Sequence, residues 1–240
     1  MSGRLLRPWQ VQCAVERALL FLSRSMDGGG APSAGLALDP CFRRGVAVVQ
    51  ARAVLRERFG ADPGFDLGDE AFTAMVALML LPPAAASDGW ELVPRLARQI
   101  ESARWQRRYR FFPGGNGFSA DTDCTGLAVG ALYEHGLLSS ADLEAHIVDL
   151  LRSAPLPGSV WGQDGRGHDG GACRSRGLMV YWEDGLEPGT LPRGRKHDAV
   201  ACANALYTLQ LNGSPLTVDG LAVVEATTRY LADMRNPAGI

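Results

Sequence analysis

Residues 118–132 read Phe-Ser-Ala-Asp-Thr-Asp-Cys-Thr-Gly-Leu-Ala-Val-Gly-Ala-Leu, which places two carboxylates and a thiol where a glycine-rich loop passes into an apolar run. Aspartate is a preferred helix N-cap, so Asp121 predicts a helix start with Asp123 and Cys124 in the first turn. The run over 125–132 carries no charge, which predicts a helix buried nearly all round. The N-terminus of such a helix should open into the interior or into a cavity.

Two opposing effects set the pKa of a carboxylate at such a position. Desolvation and repulsion from the neighbouring carboxylate raise the pKa, whereas the helix dipole and amide donors lower it. If the first two effects win, one aspartate stays protonated near neutral pH and becomes a Brønsted acid. The simpler interpretation of the same residues is an ordinary N-cap followed by a favourable first-turn aspartate.

The same pattern recurs along the chain. Residues 196–209 read Lys-His-Asp-Ala-Val-Ala-Cys-Ala-Asn-Ala-Leu-Tyr-Thr-Leu, again a polar start that leads into an apolar helix. Asp198 and Cys202 are four residues apart and share one helical face, with Asn204 on a neighbouring face. Residues 68–80 form a weaker copy. The spacings are uneven, which indicates degenerate helical hairpins arranged around an axis and not a regular solenoid.

The first segment resembles the acid motif of class II terpene cyclases, the squalene-hopene and oxidosqualene cyclase group. In that family D-x-D-D-T-A or S-D-C-T begins an inner helix of an α/α toroid. By this resemblance Asp123 matches the proton-donating aspartate, Asp121 the first aspartate of the bacterial motif, and Cys124 the cysteine of the oxidosqualene motif. The second aspartate of the D-D pair is missing here. Residues 198–206 resemble the D-x-V-x-x-A-N-x-L inner helix of small bacterial proteins related to these cyclases.

The resemblance implies an all-α fold, a single α/α toroid domain over residues 1–240 with a long Gly/Pro-rich loop. Hydrophobic periodicity indicates about eight helices, and no hairpin signal stands out. These are fewer helices than a complete toroid of six hairpins contains. Either the ring is incomplete, or further helices escape the pattern, or a second copy or partner subunit closes it. The predicted helices lie near 11–26, 42–58, 69–81, 91–104, 122–135, 140–153, 197–211 and 219–234.

The resemblance also implies a function: protonation-initiated cyclisation or isomerisation of an apolar, isoprenoid or polyene-like substrate, without a cofactor. Asp123 would donate the proton, and Asp121 and Cys124 would set its pKa and orientation. Asp198 or Asn204 would polarise the substrate or receive the returning proton. The D-D-x-x-D metal cluster of ionising terpene synthases is not found in the sequence.

Aromatic and basic side chains near the motifs are the candidates for substrate binding. Residues 155–195 form a long Gly/Pro/Arg-rich segment whose rings could stabilise carbocation character, although ordinary packing would also explain them. Arginine clusters at 104–110 and 193–196 could hold a diphosphate tail, or could simply be solvated. The residues that we expect to contact substrate are Phe118, Trp161, Tyr181, Trp182, His197, Arg107 and Arg195.

Two other functions are open to this sequence. Protein prenyltransferases share the toroid and hold zinc, so Cys124 with its neighbouring carboxylates, or His197 with Asp198, could serve a zinc-dependent prenyl or alkyl transferase. Residues 168–173 contain a looser set, His168, Asp169 and Cys173. Neither set has the tight paired spacing of strong zinc motifs, so we expect no metal. The chain could also be a noncatalytic subunit that holds a lipid or a partner.

Composition limits the remaining possibilities. The net charge of −2 argues against a dedicated nucleic-acid or membrane-surface binder, and 46% hydrophobic residues suffice for a core. Five cysteines form no C-x-x-C pair, which favours a reduced cytosolic environment. The N-terminal residues lack a continuous apolar signal region, and no run of about 18 apolar residues occurs. We therefore expect a soluble cytoplasmic protein.

Overall fold

The computed structural model describes residues 13, 17, 20, 24, 35–37, 41, 44–63, 70–82, 91–114, 117–155, 177–184, 187–190, 193–211, 213 and 216–235.

This part of the chain is mostly helical, as the sequence predicts. It contains seven helices: α1 Val48–Phe59, α2 Phe72–Leu80, α3 Leu92–Ser102, α4 Thr122–Glu134, α5 Ser140–Leu151, α6 Ala199–Gln210 and α7 Val218–Arg235. Positions 13, 17, 20 and 24 are also helical, in agreement with the predicted helix over 11–26. The bounds of α2 to α7 differ from the predicted ones by a few residues.

Two short antiparallel ribbons were not predicted. β1 Gly35–Ala37 pairs with β2 Gly45–Ala47, so that α1 begins six residues later than the sequence indicates. β3 Arg104–Trp105 pairs with β4 Arg108–Tyr109 across a two-residue turn. Gln106 in that turn has φ 55°, a left-handed conformation that glycine or asparagine normally supplies. Because Gln-Arg is not a typical turn dipeptide, this ribbon could not be predicted from the sequence.

Alternate helices pack side by side in the order α2, α4, α6. Each of these is followed by a helix that packs against it, which gives three consecutive helical hairpins: α2 with α3, α4 with α5, and α6 with α7. α4 lies in the middle and is buried along almost its whole length. Inner helices flanked by outer ones are what a toroid predicts for neighbouring hairpins. Closure of these hairpins into a ring stays a prediction.

The closest helix contact is between α4 and α6. A Cβ atom on Gly126 would lie 2.8 Å from backbone atoms of Asn204 and Ala205, so only glycine permits this approach. One turn further along, the hydroxyl of Thr208 donates a hydrogen bond to the carbonyl oxygen of Gly126 at 2.5 Å. This contact holds Asn204 of α6 beside the first turn of α4, where the acid motif lies.

No helix within the described ranges is both long enough and apolar enough to span a bilayer.

Candidate functional site

Acidic side chains at or just before the starts of α2, α4 and α6 accept hydrogen bonds from backbone amides of the first turn. Glu70 accepts from Thr73 N at 2.8 Å, and Asp121 accepts from Cys124 N at 2.7 Å. Asp198 accepts from Val200 N and Ala201 N at 2.9 and 3.1 Å. In all three helices the carboxylate therefore reaches the amide three residues on. The predicted N-cap at Asp121 is confirmed. In the weaker copy at 68–80 the acidic residue, Glu70, lies one position before the N-cap Ala71.

Asp121 differs from an ordinary N-cap because it is buried. Its residue is only 5% exposed, and burial raises its pKa to about 7. The hydrogen bond from Cys124 N lowers the pKa, and the charge of Asp123 raises it, but both effects are smaller than that of burial. At Asp121, desolvation therefore raises the pKa by more than the amide hydrogen bonds lower it. A carboxyl group with this pKa is partly protonated at neutral pH.

Backbone from two other segments encloses the start of α4. Asp121 N donates to the carbonyl oxygen of Tyr109 in β4, and Tyr109 N donates to the hydroxyl of Thr125. On the other side Thr122 donates twice, from its amide to Val180 O and from its hydroxyl to Met179 O, both at 2.9 Å. These interactions leave little room for water around Asp121, which explains its desolvation.

Asp123 lies on a more open side of the same turn. The side-chain amide of Asn204 donates to its Oδ1 atom at 2.7 Å. Burial raises the pKa of Asp123, the hydrogen bond from Asn204 lowers it, and the charge of Asp198 raises it. The structure thus brings together Asp121, Asp123, Asp198 and Asn204, four residues that the sequence assigns to the site.

Both cysteines of the motifs are buried. Burial raises the pKa of the Cys124 thiol, and the charges of Asp121 and Asp123 raise it further. Cys202 Sγ donates to the carbonyl oxygen of Leu178 at 3.5 Å. Because a thiol reacts as its thiolate, neither environment suits a nucleophile. Cys124 contributes instead through its backbone amide, which fixes the carboxylate of Asp121.

A cleft of about 220 Å³ lies beside the start of α4. Ser119 and Ala120, the residues directly before Asp121, form part of its wall. Tyr181 lines the cleft and is close enough to Asp121 for that carboxylate to raise the pKa of its hydroxyl, after the larger effect of burial. The residues that line the cleft are Trp105, Arg108, Ser119, Ala120, Tyr181, Trp182, Glu183, Glu187, Arg193, Gly194 and Arg195.

Buried and half-buried ion pairs form the frame of the cleft. Arg108 Nε donates to Asp149 at 2.8 Å, and a second nitrogen donates to Asp184 at 2.5 Å. The guanidinium of Arg108 also lies 4.2 Å from the ring centroid of Trp182. Arg110 Nε donates to Glu187 at 2.8 Å in a buried pair. The arginines are evident in the sequence as a basic cluster, but their carboxylate partners could not be predicted because they lie 41 to 77 residues away.

A row of aromatic rings connects α2 with the mouth of the cleft. Phe72 stacks on Phe111 with centroids 5.4 Å apart, and Phe111 contacts Phe112 at 4.8 Å. Phe112 meets Phe118 edge to face at 5.4 Å. The guanidinium of Arg193 then covers Phe118 at 3.9 Å. The four phenylalanine rings therefore form one connected cluster between α2 and Arg193, which lines the cleft.

The other predicted binding residues have different surroundings. His197 Nδ1 is 2.7 Å from the carbonyl oxygen of Leu178, and Trp182 donates from Nε1 to Asp149 O. Arg195 lines the cleft and pairs with Glu183. Arg107 is exposed in the β3–β4 turn and is not among the cleft residues. Trp161 and the set His168, Asp169 and Cys173 lie outside the described residues.

Among the residues that the structure describes, no three or more His, Cys, Asp or Glu side chains are grouped so that they could hold a metal ion. The candidate zinc sets around Cys124 and around His197 are therefore not assembled as metal sites there.

Comparison of the chain with models of protein families, with curated proteins and with solved structures gave no match. The assignment of function therefore depends on the chemistry of the site.

Proposed function

We propose that this protein is an acid–base enzyme of the class II terpene cyclase type. It protonates an apolar isoprenoid or polyene-like substrate and so starts cyclisation or isomerisation, with the Asp121–Asp123 pair holding the proton. The observation that carries this proposal is the burial of Asp121 at the start of α4, which raises its pKa to about 7. An acid of this pKa is present in both protonation states at neutral pH, as general acid–base catalysis requires.

Asp123 is the member of the pair that delivers the proton. It is half-buried, whereas Asp121 is enclosed. Asn204 fixes the Oδ1 atom of Asp123, which leaves Oδ2 to face the substrate. The charge of Asp123 raises the pKa of the buried Asp121, so the two carboxyl groups are electrostatically coupled. In this proposal Asp121 keeps a proton in the pair near neutral pH, and the more exposed Asp123 delivers it.

The reaction needs no cofactor to balance. The O–H bond of Asp123 breaks as a bond to hydrogen forms on the substrate, and the resulting cation rearranges or closes a ring. Loss of a proton from carbon to a carboxylate then restores the acid, so substrate and product have the same mass. The raised pKa makes the pair a weaker acid than ordinary aspartate, which favours an epoxide oxygen or a polarised double bond over an isolated alkene.

The surroundings fit a cationic intermediate. The ring of Tyr181 lines the cleft together with Ser119 and Ala120, which precede α4, and aromatic faces stabilise positive charge. The rings of Trp105 and Trp182 line the same cleft.

The test is product analysis by mass spectrometry. Wild type and Asp123→Asn are incubated with linear prenyl diphosphates, epoxidised prenyl chains and nonphosphorylated polyenes. We expect an isomeric product from wild type and a loss of at least about 100-fold in Asp123→Asn, the usual range for removing a general acid. Asparagine retains an oxygen that accepts from Asn204, so the fold should be preserved.

Asp219→Asn is the matched control, because Asp219 is exposed in the first turn of α7, away from the site. It should retain full activity. Equal product formation by wild type and Asp123→Asn would overturn the proposal. Loss of product in a metal-free preparation, with recovery on adding zinc, would point to the transferase alternative, and ligand binding without turnover would point to a noncatalytic role.

A further inference from the structure

We propose that the cleft at Tyr181 is a binding site for a phosphate or diphosphate group, held by Arg193 and Lys196. The proposal names the polar group of the ligand and to that extent deepens the proposed function, but binding at this site requires no turnover.

The cations in and beside the cleft divide into two sets; Arg108, Arg193 and Arg195 line it, whereas Arg110 and Lys196 lie beside it. Arg108, Arg110 and Arg195 each pair with carboxylates of the protein, namely those of Asp149, Asp184, Glu187 and Glu183. In these pairs the positive charge of each arginine is neutralised by a carboxylate of the protein. They therefore serve to stabilise the walls of the cleft. Arg193 and Lys196 form the second set. Among the described residues no carboxylate forms an ion pair with either of them.

Both of these cations approach the same ring. The guanidinium carbon of Arg193 is 6.0 Å from the ring centroid of Tyr181, and the ammonium nitrogen of Lys196 is 5.7 Å from it. Two like charges near one ring repel each other unless an anion lies between them. A phosphate ester carries a charge of about −1.5 to −2 at neutral pH, which matches two cations better than a single carboxylate does.

Arg193 is also oriented for such a ligand. Its guanidinium carbon lies 3.9 Å from the ring centroid of Phe118. A guanidinium that stacks on an aromatic face keeps its N–H donors for oxygen atoms. A planar guanidinium edge binds phosphate oxygens in pairs. Arg193 is close enough to the hydroxyl of Tyr181 to lower its pKa by charge and hydrogen bonding, so that hydroxyl lies in the same site.

The size of the cleft agrees with a head group. Its volume is about 220 Å³, whereas pockets that enclose drug-sized ligands are about 300–1,000 Å³. The cleft therefore suits a small polar group, with the remainder of the ligand outside it. Since Ser119 and Ala120 form its wall, the anion would be held next to Asp121.

Binding of inorganic pyrophosphate to the full chain, measured by isothermal titration calorimetry at low salt, tests the site. We expect wild type to bind, and Arg193→Gln and Lys196→Gln each to weaken binding by about tenfold or more, as loss of a charged hydrogen bond does. Arg193→Lys keeps the positive charge but loses the paired N–H donors of the planar guanidinium, so this variant should bind pyrophosphate with intermediate affinity. Arg98→Gln, on the exposed side of α3, is the matched control.

Two results would overturn the site: no heat of binding at pyrophosphate concentrations up to about 10 mM, or equal affinity in wild type and both glutamine variants. Circular dichroism verifies that each variant is folded. Asp123→Asn separates this proposal from the proposed function, since it should bind pyrophosphate normally while losing turnover. If wild type converted nonphosphorylated epoxides but did not bind pyrophosphate, the anion site would be refuted while the proposed role of Asp123 as the acid would stand.

Discussion

The acid at the start of α4 should control how stability depends on pH. An unfolded aspartate titrates near 3.8, whereas Asp121 in the fold titrates at about 7. Between these values the folded state binds more protons at Asp121, so the contribution of this group to the free energy of unfolding is fully present below about pH 4 and is lost as the pH rises to about 7. The difference is worth on the order of 4 kcal/mol.

Asp121→Asn removes this titration but keeps the cap, because asparagine caps as well as aspartate. Measured by urea unfolding, the variant should gain a few kcal/mol relative to wild type between pH 5 and pH 8. Asp142→Asn should show the opposite trend, since hydrogen bonds from Ser139 lower the pKa of Asp142. If the free energy of unfolding depended on pH in the same way for wild type and Asp121→Asn, the raised pKa of Asp121 would be contradicted.

The amide of Asn204 should tune the second carboxylate. Its hydrogen bond to Asp123 lowers the pKa of that group, so Asn204→Ala should raise the pKa at which the carboxyl carbon of Asp123 titrates in ¹³C NMR. An unchanged midpoint would mean that Asn204 does not contact Asp123 in solution.

For individual residues, the sequence predicts features that depend on neighbouring positions in the chain. The cap at Asp121 follows from the identity of that residue and the apolar run after it. The hydrogen bond between Asp123 and Asn204 spans 81 residues and depends on the packing of α4 against α6, so periodicity could place the two on helices but could not pair them. The burial of Asp121 likewise depends on backbone from 178–180.

The contact of α4 with α6 can be tested by the sign of the change in stability that Gly126→Ala causes. Glycine to alanine inside a helix normally stabilises by about 1 kcal/mol. Gly126→Ala should instead destabilise by about 1–3 kcal/mol, because its Cβ would meet backbone atoms of Ala205 at 2.8 Å. Thermal and urea unfolding measure the change.

Gly213→Ala is the control for that substitution, since nothing lies within 4 Å of a Cβ at that position. It should leave the free energy of unfolding nearly unchanged. Stabilisation by Gly126→Ala would show that α4 and α6 are further apart than described.

The ion pair of Arg110 with Glu187 connects β4 to the segment after residue 184, and both side chains are buried. Glu187→Gln would leave a buried cation without its partner and should cost about 3 kcal/mol in the free energy of unfolding. The double variant Arg110→Met/Glu187→Leu should cost much less. Glu225→Gln breaks an exposed pair with Arg229 and should cost under about 1 kcal/mol. If Glu187→Gln and Glu225→Gln lowered the free energy of unfolding equally, the pair of Arg110 with Glu187 would not be buried.

The elements themselves were predictable to different degrees. α4 and α6 carry long apolar runs behind acidic starts, so their bounds follow closely from sequence. The ribbons are two or three residues long and lack turn dipeptides, so no periodicity can reveal them. Sequence also treats 155–195 as one loop, whereas residues 178–182 bind the start of α4 through Met179 and Val180.

For the molecule as a whole, the recurring acidic residue before an apolar run marks the starts of α2, α4 and α6. These helices pack in series, and each is followed by a helix that packs against it. Closure of the ring and the identity of the substrate are not encoded in such local repeats. They depend on contacts between distant parts of the chain and on the shape of the space that the helices enclose.

The central claim is that Asp123 transfers a proton to carbon or oxygen of an apolar substrate. The most direct measurement is mass spectrometry of the products formed from linear polyene and prenyl substrates in D₂O. We predict that wild type forms an isomeric product carrying one carbon-bound deuterium from a protonated double bond, and that Asp123→Asn does not. Product without solvent deuterium from such a substrate, or the same labelled product at the same rate from Asp123→Asn, would contradict the account.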